Sequence, residues 1–223
     1  MHNAFIDLTK WPTALCLAIF AWFAAGQLPS QVAVLAQNYG VSIPLVCGYA
    51  GFALIWHVWL RSSRTAAWFG VMEHEIAHVL ASFVTFNGVH RLHADSNGTG
   101  HIAGANGGNW IVLLAPYVFP TSLVVPALVI AAAPSRWASY TFFGAALGFH
   151  IQTTCVETHA GQPDLKRVGW LAAALLLPAC HIVAALAIIG CLNGNQHGMN
   201  LAWQRAKVSM VSATITTLAF RKQ

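Results

Sequence analysis

Apolar residues along this chain gather in six long runs, at 13–28, 41–60, 66–86, 110–133, 137–156 and 169–191, separated by short polar breaks. At 1.5 Å of rise per residue, such runs suit helices that cross about 30 Å of hydrocarbon. The pattern predicts an all-α polytopic membrane protein with about six transmembrane helices. Residues 87–109 break it. There Val89-His90-Arg91-Leu92-His93 and His101-Ile102-Ala103 read as two short strands flanking Asn97-Gly98. Two such segments around an Asn-Gly pair predict a β-hairpin inserted after the third helix. Gly104, Gly107 and Gly108 then give a flexible lead into the fourth helix, and Pro116, Pro120 and Pro126 lie within that fourth run. Prolines are tolerated in membrane helices where neighbours re-satisfy the freed carbonyls. The first run follows only one basic residue, Lys10, offset by Asp7, so a retained helix is expected rather than a cleaved signal peptide. From 192 to 223 the chain turns polar and then mildly apolar between basic pairs. That tail is too short to span and is expected to lie at the interface.

Composition strengthens this reading. Charged residues make up 8% of the chain and hydrophobic ones 57%, whereas a soluble domain carries roughly 25% charge. A single transmembrane domain over 1–223 is expected. The net charge of +5 is spread over helix ends, with no basic stripe of the kind that binds nucleic acid. Lys10, Arg61, Arg64, Arg136, Arg205, Lys207, Arg221 and Lys222 fall on one side of the expected topology, and Arg91, Lys166 and Arg167 on the other. The bias predicts that both termini are cytoplasmic. The five cysteines show no C-x-x-C spacing, which favours small buried side chains over a metal or redox site. Asn97-Gly98-Thr99 fits a glycosylation sequon, but the turn is the simpler reading.

The chemistry lies in the third run, at Glu73-His74-Glu75-Ile76-Ala77-His78. Two histidines four apart stand on one face of a helix, where neutral imidazoles can share one Zn²⁺. Glu75 between them is placed to take a proton from an attacking water. A charge near the bilayer centre costs at least ~2.5–3.5 kcal/mol, so an acidic residue here points to function. Glu73 has two readings, a partner to a ligand or a lumen-facing side chain.

From Met72 to about Tyr117 the order of features resembles the site-2-protease-like intramembrane zinc metallopeptidases, especially their small bacterial branch. The shared features are the H-E-x-x-H helix, the hairpin, a glycine-rich link and a Leu-Ala-Pro-Tyr start to the next helix. Gln162-Pro163-Asp164 ahead of the last span resembles the family's Asp-containing segment, whose carboxylate is the third zinc ligand. The resemblance implies metal ligands His74, His78 and Asp164, with Glu75 as catalytic base. It also implies hydrolysis of a peptide bond in or near a transmembrane segment of a membrane protein substrate, in a bacterial inner membrane. A catalytic zinc needs three protein ligands and an open position. To supply the third, 159–164 must fold back to the depth of the histidines. His150 and Glu157 on the fifth run are the alternatives, and an N-cap role is the bland reading of Asp164.

Other polar residues have plainer roles. His90, His93 and His101 suit headgroup-level positions better than an accessory metal site. Asn106 and Asn109 suit loop geometry better than substrate contact. Two further functions compete. His74-x-x-x-His78 with His90-x-x-His93 resembles the start of a desaturase-type di-iron oxidase, although Ala94 stands where that pattern needs histidine. A non-catalytic membrane scaffold is the other, but it has no use for a buried Glu75. A regulatory partner is not legible in the residues.

Overall fold

The structure, a computed structural model, describes residues 2–94, 100–104, 108–132, 136–193 and 208. Its helices are α1 (His2–Leu8), α2 (Lys10–Ala25), α3 (Leu28–Gln37), α4 (Tyr39–Val58), α5 (Arg64–Val84), α6 (Trp110–Val118), α7 (Val124–Ala132), α8 (Arg136–Glu157), α9 (Pro163–Val168) and α10 (Trp170–Leu192). Strands β1 (Val89–Ala94) and β2 (Gly100–Gly104) pair antiparallel between α5 and α6, with an irregularity in register between Val89 and Arg91. The expected Asn97-Gly98 turn lies outside the described residues, as do Asn106 and all of the expected interfacial tail beyond Asn193 except Val208.

Six spans do not emerge. Among the described residues, α4 and α10 are long and apolar enough to cross a membrane. The number rises to four if two bent pairs each count as one span: α2 with α3, at 48°, and α6 with Thr121–Ile130, at 53°. The second bend falls at Phe119-Pro120, where proline pushes the preceding residue out of the helical region. Helices α5 and α8 have the length, at 21 and 22 residues, but not the composition. Helix α5 carries Arg64, Glu73, His74, Glu75 and His78; α8 carries Arg136, His150, Gln152, Thr153 and Glu157. Run length overcounted these two, because it passes over the polar residues inside them: Glu73, His74, Glu75 and His78 in one, His150 and Thr153 in the other.

Packing divides the chain into two compact units, one of 1–10 and 43–173 and the other of 11–42 and 174–223. In the second, Ala24 and Leu186 pack with Phe20, Leu28 and Ile182, and Asn193 Nδ2 donates to Gln31 O and Oε1 at 3.2 and 3.1 Å.

The first unit holds the candidate chemistry. Ser63 caps α5 by accepting from Ala66 N, and Asn109 caps α6 by accepting from Ile111 N and Val112 N at 3.0 and 3.2 Å. A side-chain oxygen at this position satisfies amides that have no helical acceptor. Helices α5 and α6 meet through Ala77, Ala81, Val112 and Ala115, all buried, and these small residues allow a close approach. Helices α4 and α8 come closer still: a Cβ on Gly48 would overlap the Thr141 carbonyl, and one on Gly144 the Leu45 carbonyl. The N-terminal segment is tied in as well. Asp7 Oδ1 accepts from Trp110 N at 3.1 Å, and Lys10 Nζ donates to Val168 O at 2.8 Å. The cysteines do not follow expectation: Cys16, Cys47, Cys155 and Cys191 are exposed and Cys180 is half-buried. Most lie on outward faces of apolar helices, where a thiol behaves as a small hydrophobe.

Candidate metal centre

Helical spacing alone sets His74 above His78 on α5, and their rings lie 4.8 Å apart at 77°. Asp164 arrives from a distant part of the chain. After α8 the backbone reverses through 158–162, with His159 N donating to Glu157 O and Gln162 N to His159 O at 3.0 and 3.1 Å. Pro163 then opens α9, whose Leu165 and Val168 are fully buried. Those two anchors fix the short helix, and Gly169, at φ +94°, ends it in a conformation that favours glycine. Gln162, not Asp164, occupies the N-cap position. Asp164 Oδ2 instead lies 3.2 Å from His78 Nε2 and 3.6 Å from His74 Nε2, and the two Nε2 atoms are 3.1 Å apart. The three residues form a group able to hold a metal ion.

The other ring nitrogens are engaged. His78 Nδ1 lies 2.8 Å from Val112 O, which can only accept, so Nδ1 carries the proton. His74 Nδ1 faces Glu157 Oε2, a carboxylate oxygen that can likewise only accept. Each histidine thus turns an Nε2 lone pair toward Asp164. Two such lone pairs and a carboxylate oxygen repel one another unless a cation, a shared proton or a metal ion, lies among them.

The two alternative ligands take other positions. Glu157 is at the back of His74. His150 is buried and places Nδ1 3.4 Å from Glu73 Oε1. Glu73 also accepts from Ser122 N at 3.1 Å, from Thr121 Oγ1 at 3.3 Å and, through Oε2, from Thr153 Oγ1 at 3.3 Å. It points away from the histidine pair and ties α5 to α8 and to the turn Thr121–Leu123.

Glu75 is 4% exposed, and its Oε2 has no hydrogen-bond partner among the described residues. With His74 it lines a cleft of about 310 Å³ between α5 and α8, bounded also by Trp56, Gly70, Val156 and Glu157. An apolar pocket of about 560 Å³ shares Trp56 and Ala66 with that cleft. Tyr117 is buried edge-on to His74, with ring centroids 5.5 Å apart, and among the described residues its hydroxyl has no hydrogen-bond partner. Asn109 has its oxygen engaged by the α6 cap. His93 and His101 are register partners across β1 and β2, and His90 lies on β1.

Sequence reasoning missed the parts played by Glu157, the Val112 carbonyl and Tyr117. A signal for the first was present. His150, Thr153 and Glu157 recur at i, i+3 and i+7, a polar stripe on one face of an otherwise apolar helix. Compared with family models, with curated proteins and with solved structures, the chain matches none.

Proposed function

We propose that the chain is a zinc-dependent intramembrane endopeptidase of the site-2-protease-like kind, acting on a transmembrane or membrane-proximal segment of a protein substrate. The observation that carries this reading is the convergence of His74, His78 and Asp164 beside a buried Glu75 with an open oxygen. Donor atoms about 2.0–2.1 Å from one tetrahedral zinc stand about 3.3 Å from each other. The separations of 3.1, 3.2 and 3.6 Å fit that spacing, and two imidazoles with one carboxylate form a donor set that suits a hydrolytic zinc.

When bound, the metal supplies Lewis acidity for attack on a carbonyl. The protein supplies the rest. Glu75 takes the proton of the attacking water and hands it to the leaving amine. The cleft beside His74 and Glu75 receives the scissile segment, and the adjoining apolar pocket suits the apolar side chains of a membrane-derived chain. The lipid bilayer is the medium, the protein is multi-pass with both termini cytoplasmic, and a bacterial inner membrane is the proposed location.

The test uses the full chain purified in detergent and reconstituted with a panel of single-span segments tagged at both ends. About one zinc per chain, with cleavage that is lost in Glu75→Gln, is the expected result. Two irons per chain would favour the oxidase. Equal activity of the parent and Glu75→Gln, or no bound zinc after zinc-replete preparation, would overturn the proposal.

A further inference from the structure

His78 and His74 are oriented by different kinds of group. His74 leans on a side chain, Glu157. His78 leans on a main-chain carbonyl, Val112 O, in the first turn of α6. A carbonyl inside an α-helix ordinarily accepts from the N–H four residues on. Four residues on from Val112 is Pro116, inside the same helix, and proline has no N–H to give. The proline ring also crowds the carbonyl four residues before it and tilts that carbonyl outward. The close approach of α5 and α6 through Ala77, Ala81, Val112 and Ala115 brings His78 to the vacated acceptor.

We propose that Pro116 is a positioning residue for the metal centre. By withholding a hydrogen-bond donor, it leaves the Val112 carbonyl free to hold Nδ1–H of His78, and so keeps the Nε2 lone pair turned toward His74 and Asp164. This inference rests on the reading of the three residues as a metal site. Its structural half, the fixed tautomer of His78, stands independently of any metal. A proline in the middle of a helix lowers helix stability. Here that cost has a local counterpart, a buried carbonyl left with no helical donor and supplied with an imidazole one.

The prediction is distinctive because stability and metal binding move in opposite directions. Alanine at 116 restores the helical N–H, which competes with His78 for the same carbonyl, and it also favours the helix. In the full chain in detergent, Pro116→Ala should leave the melting temperature of the metal-free protein unchanged or raised. Its affinity for Co²⁺, used as a spectroscopic probe, should fall about ten- to hundredfold, as expected when a group supporting a ligand is lost, with a changed visible spectrum. Pro178→Ala, which removes another intrahelical proline, should leave the affinity unchanged. A folded Pro116→Ala protein with parental affinity and spectrum would overturn the inference.

A second measurement covers the case in which Pro116→Ala does not fold. Nitrogen-15 spectra of the histidine-labelled, metal-free parent, assigned by comparison with His78→Asn, should show His78 protonated at Nδ1. Protonation at Nε2 instead would overturn the inference. A parent that binds no Co²⁺ but shows the Nδ1–H tautomer would sink the metal reading and leave the Pro116–Val112–His78 arrangement standing.

Discussion

Two carboxylates on α5, one on each side of His74, meet opposite environments. Glu73 is surrounded by donors: His150, Thr121, Thr153 and the Ser122 amide all converge on it. Glu75 is buried and has an oxygen with no hydrogen-bond partner among the described residues. A carboxylate with both oxygens engaged is a strut, since moving a proton onto it would disturb bonds to α8 and to the turn after Pro120. A carboxylate with a free oxygen in a cleft can gain and lose a proton without disturbing its neighbours. The contrast distinguishes the two acids more firmly than their one-residue distances from His74 do.

Substitutions can test this contrast directly. The largest effect should come from Glu75→Gln. Under the proposed function Glu75 is the general base, and its removal should lower turnover by about 10²–10⁴-fold, while the melting temperature and metal content stay at parental values. A large loss of stability would instead make Glu75 structural and erase the contrast. Glu73→Ala should do the reverse. It leaves His150, Thr121, Thr153 and the Ser122 amide without their acceptor, at a cost of about 3 kcal/mol in an unfolding titration. Glu157→Gln is next. It keeps an acceptor for His74 Nδ1 but removes the charge, so metal affinity should fall about tenfold with little change in stability. Smallest is Glu73→Gln, which retains the Oε1 contacts and turns an amide toward the Thr153 hydroxyl, itself able to accept. The expected loss is about 1 kcal/mol, and a loss as large as that of Glu73→Ala would mean that charge, not hydrogen-bond geometry, holds the strut.

The sequence made the H-E-x-x-H geometry legible because helical periodicity alone brings His74 and His78 together. Asp164 was legible only through a resemblance. Its position depends on the reversal at 158–162 and on the burial of Leu165 and Val168, neither of which has a local signature. Glu73 was ambiguous because its partners come from α8 and from the turn after Pro120. The count of spans was too high for a related reason. Run length passes over the bend at Phe119-Pro120 and the polar stripe of α8, although the turn after that bend and the stripe supply the partners of Glu73.

Gly48 and Gly144 have a bearing on how relatives of this chain should be read. Any substitution at either position adds at least a Cβ where α4 and α8 bring a carbonyl against the backbone. Chains that share this crossing should therefore keep glycine at both places as strictly as they keep His74. In a comparison of such sequences, two positions remote from the candidate metal centre would carry the same mark of invariance as its ligands. Invariance there would record the thickness of a helix contact, and only the accompanying chemistry, an imidazole or a carboxylate, would separate the two kinds of conserved site.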